Sequence, residues 1–408
     1  MEHEIRTIAQ EELEAFRRCQ AYAFGNEFNP EHLEVGRPLF EFDRNLAALD
    51  GGLIVGTAGV FNFQMTVPGE RSIPTAGVTM VSVRPTHRRR GIITGVMRRQ
   101  LEQVRERGES VAILWASESS IYGRFGYGMA SQMDIVRIPR VWANLRNDLP
   151  VPPGIVRTLS IDEARESLPA IHERLRMLVP CSIGRWDKWW DIRIFRDSPD
   201  WRDGHTSNFY VVYEEEGVAK GFVRYRRKGD FQDWLAKGQV SVAEFYAATP
   251  EARVALWSHV FGMDLVETIS WEYGGMDDPL PFLLKDPRRI SRNRIDAIWL
   301  RVVDVEKALS SRAYGAEGRL RFEVRDPFLS GAGGRFELDA LPEGGVCRRS
   351  SAEPDLVVGP EELGNLYLGG GSAGALWSAG RIRGDERAVA LADRLFGWHV
   401  KPHCQEGF

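Results

Sequence analysis

The chain has 408 residues and a formal net charge of −4, and 43% of it is hydrophobic against 27% charged. At roughly 100–200 residues per domain this length gives two to four domains, and the composition is too apolar for a disordered chain. The acidic balance argues against a general nucleic-acid coat, so any anion site has to be local.

The start, Met1-Glu2-His3-Glu4-Ile5, lacks the basic and apolar regions of a signal peptide. No stretch approaches the roughly 18 apolar residues that span a bilayer. Cys19, Cys181, Cys347 and Cys404 are scattered, without a CxxC pair or zinc spacing. They read as reduced thiols of a cytoplasmic protein with no metal, no membrane and no nucleic-acid partner.

A first block is expected over residues 1–145. Ile5 to Phe24 has helical character. Two apolar runs, Asn45–Asp50 and Leu53–Phe61, lie on either side of Gly51-Gly52 and read as a hairpin. Gly77–Val83 is a strand broken by Pro85, and Ile92–Arg107 is a helix with Gly108 as its C-cap glycine. Val111–Trp115 reads as a short buried strand. Residues 146–154 carry a proline cluster that disfavours helix and central strand, which marks a linker.

A second block, 150–288, repeats the first. Phe209–Glu216 and Val218–Tyr225 form another hairpin, and the turn glycine again precedes a second glycine by four residues: Gly52 and Gly56, then Gly217 and Gly221. Gln239–Ala247 reads as a strand and Pro250–Phe261 as a helix. The junction between them, Ala-Ala-Thr-Pro-Glu-Ala-Arg, has lost the arginine run and the glycine of the first copy, so this block reads as structural. Trp186, Trp189, Trp190 and Trp201 cluster here, more in keeping with packing than with a ligand box.

A third block, 290–398, combines strand-like stretches (Ala297–Val303, Gly318–Val324, Arg335–Leu338) with helical ones (Pro360–Tyr367, Asp385–Phe396), an α+β pattern. The chain ends in an exposed-looking tail, 399–408.

The strongest local signal is Val81-Ser82-Val83-Arg84-Pro85-Thr86-His87-Arg88-Arg89-Arg90-Gly91-Ile92-Ile93-Thr94, in which a strand feeds a tight turn and the turn opens a helix. The first N–H groups of a helix have no intrahelical acceptor, and the dipole places about half a positive charge there. A pyrophosphate fits such a site, glycine lets the backbone approach, and arginines add charge-assisted contacts. The alternative is a solvated basic turn. Neither a Walker loop nor a dinucleotide fingerprint is present.

The second signal follows the strand Val111–Trp115: Ser117-Glu118-Ser119-Ser120-Ile121-Tyr122-Gly123-Arg124-Phe125-Gly126-Tyr127. Together the two segments resemble the acetyl-CoA side of a GNAT N-acetyltransferase. Arg88-Arg89-Arg90-Gly91 matches the first half of that family's pyrophosphate loop, and Ile93 departs from its usual small residue.

With Phe408 as last residue, the full length is similar to the enhanced intracellular survival (Eis) family. That resemblance implies tandem GNAT folds of mixed α/β (α+β) class, the second degenerate, then a sterol-carrier-protein-like α+β domain and a tail that returns to the active site. It further implies a homohexamer that acetylates amines of cationic small molecules, aminoglycosides at more than one position among them.

By position, the resemblance makes Tyr122 the general acid, with Tyr127 its rival, and the Phe408 carboxylate a base or an anchor for the amine. Val81, Ser82, Val83, Arg88, Arg89, Arg90, Gly91, Ile92, Ile93, Thr94, Ser117 and Glu118 would line coenzyme A. Phe24, Glu27, Phe28 and Glu31 lie where this fold borders the acceptor, and Glu406 is a candidate amine anchor. His87, His399 and His403 are not favoured as bases. The competing readings are a protein-lysine or polyamine acetyltransferase, a non-catalytic lipid carrier and an RNA-associated protein using Arg88–Arg90.

Overall fold

A computed structural model describes residues 3–408. The first segment runs through β1 (Glu4–Thr7), α1 (Leu13–Phe24), α2 (Pro30–Gly36), β2 (Leu46–Asp50), β3 (Leu53–Val67), β4 (Arg71–Val83), α3 (Ile92–Glu106), β5 (Val111–Trp115), α4 (Ser119–Tyr122) and β6 (Gly128–Met129). The second holds β7 (Gln132–Pro139), β8 (Ile155–Leu159), α5 (Ile161–Arg176), α6 (Asp187–Trp189), β9 (Phe209–Glu215), β10 (Val218–Lys228), the small hairpin β11 (Phe231–Gln232) and β12 (Leu235–Ala236), β13 (Gly238–Ala247), α7 (Pro250–Phe261), β14 (Val266–Gly275), α8 (Leu280–Leu283) and β15 (Ser291–Asp296). The third holds β16 (Ile298–Val302), α9 (Val305–Ser310), β17 (Gly318–Val324), β18 (Gly334–Leu341), β19 (Gly344–Arg349), β20 (Leu356–Val358), α10 (Pro360–Tyr367), α11 (Ala373–Ser378), β21 (Arg383–Gly384) and α12 (Glu386–Phe396).

Two seven-stranded sheets repeat one plan. The first has the order β1-β2-β3-β4-β5-β16-β6, and the second β8-β9-β10-β13-β14-β7-β15. In each, a hairpin leads to a strand that pairs in parallel with the next, β4 with β5 and β13 with β14. The sixth strand comes from outside the repeat: β7 precedes the second hairpin in the chain, and β16 follows the whole second sheet. The contacts therefore divide the chain differently from the blocks read in the sequence. One unit comprises the residues through Ser131, Ala297–His399 and Gly407–Phe408; the other comprises Gln132–Asp296 and Val400–Glu406. A boundary at 145 cuts after β7, which belongs to the second sheet, and the strand read as opening the third block, β16, belongs to the first. A separate five-stranded sheet, β19-β18-β17-β20-β21, completes the first unit.

The helix expected from Ile5 starts only at Leu13. Glu4–Thr7 instead pairs antiparallel with β2, Ile5 opposite Ala48. α1 then buries Leu13, Phe16 and Cys19, one stripe of a helix, against Ala47, Leu49, Ile54 and Met80 on one face of the first sheet. α3 covers the other face with Val96, Met97, Leu101 and Val104, and ends on Gly108 at φ +74° as expected.

The tail also departs from expectation. Pro402, Cys404, Gln405 and Glu406 are buried in the second unit. His403 donates its backbone N–H to Pro180 at 2.8 Å, and its Nε2 lies 2.8 Å from the Tyr273 carbonyl. Burial pushes the His403 imidazole down to about 4. An unfolded histidine titrates near 6.5, so this neutral ring stabilises the fold in full above pH ~6.5 and loses its contribution as pH falls to ~4, about 3 kcal/mol in all. Thermal unfolding should show the second unit weakening across that window, and His403→Gln should flatten the acid limb. An unchanged limb would contradict this reading of His403.

Candidate active site

β4 and β5 pair only over Thr75–Gly77 and Val111–Ile113, although β4 continues to Val83 and β5 to Trp115. Beyond Gly77 the two strands part. A bulge helps: between Thr57/Ser82 and Gly59/Thr79 the register slips, and Met80 sits at φ +53°. The stretch Val81–Val83 thus faces the gap, with no strand paired to that edge among the described residues. The Ser82 hydroxyl lies 2.6 Å from Thr57 Oγ1 inside the sheet, so Ser82 offers its main chain and not its side chain.

The loop after β4 leaves its backbone and its arginines open. Gly91 is the N-cap of α3 at φ +80°, with no side-chain cap and open space around it. Arg89 is also left-handed, at φ +63°. Arg88, Arg89 and Arg90 are exposed, and Arg88 Nη2 donates to the Ala23 carbonyl at 3.0 Å, tying the loop to α1. Ile92 is buried under the first turn while Ile93 and Thr94 are partly exposed. An uncapped helix start, a left-handed glycine and a guanidinium cluster next to a free strand edge fit a phosphorylated ligand with an extended amide-bearing arm.

Tyr122 closes the short helix α4, whose N-cap is Glu118. It is 5% exposed and shares a core with Ala76, Val78, Met97 and Leu114, so it lies on the α3 face of the sheet. Burial raises the phenol's pKa, a hydrogen bond to Ser117 opposes this, and Glu118 adds to the rise. The hydroxyl therefore stays protonated near neutral pH. Tyr127 packs edge-on at 6.1 Å between ring centroids and is fully buried, its hydroxyl without a hydrogen-bond partner among the described residues. Tyr122 keeps slight exposure and a Ser117 partner, whereas Tyr127 is wholly enclosed, a difference in surroundings that the sequence does not show.

Phe408 lies on the opposite face. Its ring packs on Phe63 at 4.9 Å, and Phe63 on Phe61 at 6.0 Å. A Cβ at Gly77 would come within 2.3 Å of Phe63 and 3.4 Å of Phe408. Phe61 is opposite Gly77 in the ladder and Val60 opposite Val78, so Gly77 faces Phe408 while its neighbours Ala76 and Val78 face the Tyr122 side. The two predicted catalytic residues thus flank, from opposite faces, the point where β4 leaves β5. Sequence reasoning missed Phe63 and Gly77. A glycine inside a strand pattern is a signal for close approach and could have singled out Gly77; nothing marked Phe63 among the apolar residues of β3.

The acceptor candidates separate. Phe24, Glu27 and Phe28 line a cavity of about 410 Å³ with Arg17, Gln20 and His32. Leu33, also in its wall, belongs to the core that includes Met80 and packs against Phe61, on the Phe408 face. Glu31 is exposed in the first turn of α2, held by Asn29, and is not part of the wall. Glu406 is not an amine anchor. It is 7% exposed in the second unit, where Oε2 takes Arg185 Nε at 2.5 Å and Oε1 takes Trp189 Nε1 at 2.7 Å. Its charge is already matched. Of the four tryptophans read as packing, Trp189 and Trp190 are buried, Trp186 is half-buried and Trp201 is exposed.

Residues 4–130 match a family model described as an acetyltransferase (GNAT) domain, residues 181–302 a second model of that description, and residues 305–405 a sterol carrier protein domain. An uncharacterized N-acetyltransferase of Streptomyces avermitilis is 36% identical over the whole of both chains. N-acetyltransferase Eis of Mycobacterium tuberculosis is 34% identical over 93% of each. The crystal structure of Eis1 from Mycobacterium abscessus superposes with a TM-score of 0.86 at 33% identity, covering 99% of this chain and all of that one.

Proposed function

We propose, because the chain belongs to the Eis family of GNAT N-acetyltransferases, that it transfers the acetyl group of acetyl-CoA to amines of cationic small molecules, aminoglycosides at more than one position among them. The observation that carries this reading is the parting of β4 from β5 at Gly77, with Tyr122 on one face and Phe408 on the other. Arg88–Arg90 and the N-terminus of α3 would hold the donor's phosphates, and the free edge of Val81–Val83 its amide arm. Acetyl-CoA supplies an activated acetyl thioester there.

The acceptor sets the harder condition. An amine near pKa 10.4 is neutral in only about one molecule in 2,500 at pH 7, a deficit of about 4.6 kcal/mol. Only the neutral form attacks. A free α-carboxylate near 3.5 takes a proton from such an ammonium uphill by about 9 kcal/mol, so the Phe408 carboxylate works chiefly by holding the cation, with water carrying the proton off. Tyr122 gives its Oη proton to the departing sulfur. From reference values that step is uphill by about 2 kcal/mol, and burial of the phenol raises the figure. Much of the benefit of Tyr122 is therefore a hydrogen bond to the sulfur as charge develops.

The cavity beside α1 joins Glu27 to Arg17, His32, Gln20, Asn26 and Asn29 and two aromatic rings, a polar lining of both charge signs that suits a hydroxyl-rich acceptor. The test is coenzyme A release over a panel of aminoglycosides, polyamines and basic peptides, with product masses. Acetylation of an aminoglycoside at two or more amines is expected. Activity confined to peptides or polyamines would move the substrate class, and no release from any amine would end the reading.

A further inference from the structure

The turn that follows Tyr122 is walled by residues far along the chain, all of them in the first unit. Phe125, three residues on, is 1% exposed and packs on Phe328 at 5.2 Å between ring centroids. Phe328 lies in the loop between β17 and β18. Leu329 and Ala332 of the same loop share the core that holds Tyr122 and Tyr127. The loop also reaches α3: Arg98 lies over the Phe328 ring at 5.1 Å, and Arg105 Nη1 donates to the Ser330 carbonyl at 2.8 Å. One loop thus touches both the turn behind Tyr122 and the helix whose first turn would hold the donor's phosphates.

The loop is itself fixed. Asp326 Oδ1 accepts the N–H groups of Phe328 and Leu329, each at 3.0 Å, and Oδ2 accepts from Arg301 on β16. Both charged side chains are no more than 1% exposed. Arg301 lies against Gly126, which is left-handed at φ +82°: a Cβ there would come 2.6 Å from Arg301 Nη1 and 2.8 Å from Pro360 Cγ. A Cβ at Gly128 would collide with the Glu361 carbonyl of α10, and Asn365 of that helix donates Nδ2 to the Met129 carbonyl at 2.6 Å. Gly126 and Gly128 in the run Tyr122-Gly-Arg-Phe-Gly-Tyr-Gly128 are therefore the points where β16 and α10 press against it. α4 has four residues, too few to hold a helix alone, so the position of Tyr122 depends on this packing.

We propose that the sterol-carrier-like segment works in the acetyl transfer itself: its β17–β18 loop clamps the Tyr122 turn to α3, and Phe328 is a positioning residue for the Tyr122 hydroxyl. This rests on the role given above to Tyr122. The hydroxyl has to meet the departing sulfur of a donor held at the start of α3, and a misplacement of about 1 Å can cost about 10²-fold in rate. Phe328 touches the supports of both partners, Phe125 behind the hydroxyl and Arg98 on the donor's helix. The clamp gives the segment a task that needs no lipid.

The experiment is a double-substitution cycle in the full-length chain: wild type, Phe328→Ala, Tyr122→Phe and the two together, with the amine of the panel above that wild type acetylates fastest. kcat, KM for the amine and calorimetric acetyl-CoA affinity are read at a temperature where circular dichroism shows each variant folded. Phe328→Ala should lower kcat about 10- to 100-fold, with KM and donor affinity within a few-fold of wild type. It should add little to the loss already present in Tyr122→Phe, because a residue that acts through the hydroxyl then has nothing left to place. Phe328→Leu, which keeps apolar bulk against Phe125, should fall between and carries the same cycle where Phe328→Ala does not fold. Equal losses of kcat with and without the Tyr122 hydroxyl would reduce Phe328 to ordinary packing, and unchanged kcat in both Phe328 variants would overturn the clamp. Full turnover by Tyr122→Phe would overturn the Tyr122 reading and this proposal with it; an impaired Tyr122→Phe beside unimpaired Phe328 variants sinks this proposal alone.

Discussion

Extending the chain beyond Phe408 by a short peptide should lower kcat by about 10²-fold or more while acetyl-CoA binds as before. The extension turns the terminal carboxylate into a neutral peptide carbonyl. It leaves the α3 face, with the arginine loop and Val81–Val83, untouched. What it removes is the charge carried by Phe408, the residue whose ring packs on Phe63 next to Gly77. Phe408→Ala should fall between extension and wild type, because it keeps the carboxylate and loses the ring that seats it. Steady-state kinetics with calorimetry of the donor decides the matter. Full turnover by the extended chain would dismiss the carboxylate from the reaction.

Tyr122→Phe should cut kcat by about 10²–10³-fold with donor affinity within a few-fold of wild type. The change deletes one hydroxyl, hydrogen-bonded to Ser117, and keeps the ring that packs with Ala76 and Val78. Tyr127→Phe makes the contrast. That hydroxyl is buried with no partner among the described residues, so its loss should leave turnover intact and stability equal or higher. If Tyr127→Phe is the variant that stops the reaction, the roles are reversed.

The parts legible in the sequence were those encoded locally. The strand, arginine turn, Gly91 and helix lie within one continuous stretch, so the site could be read from it, and Gly56 and Gly221 exposed the repeat. What could not be read depends on partners far along the chain. The exchange of β7 and β16 between the two sheets leaves no local mark, because neither the mixed pattern of β7 nor the largely apolar run of β16 names the strand it pairs with. Glu406 looked available because acidic residues near a terminus usually are; only the fold brings Arg185 and Trp189 to it. Tyr122 and Tyr127 have similar local sequences and differ in what surrounds the hydroxyl.

The central claim is that the loop Arg88–Thr94 at the start of α3 grips the diphosphate of the donor. Titrating acetyl-CoA into the full-length protein by calorimetry tests it most directly, with Arg89→Ala/Arg90→Ala beside wild type. One site per chain is predicted, weakened about 10²-fold in the double variant as two charge-assisted contacts are lost. Absence of binding, or equal affinity in the double variant, would contradict the account.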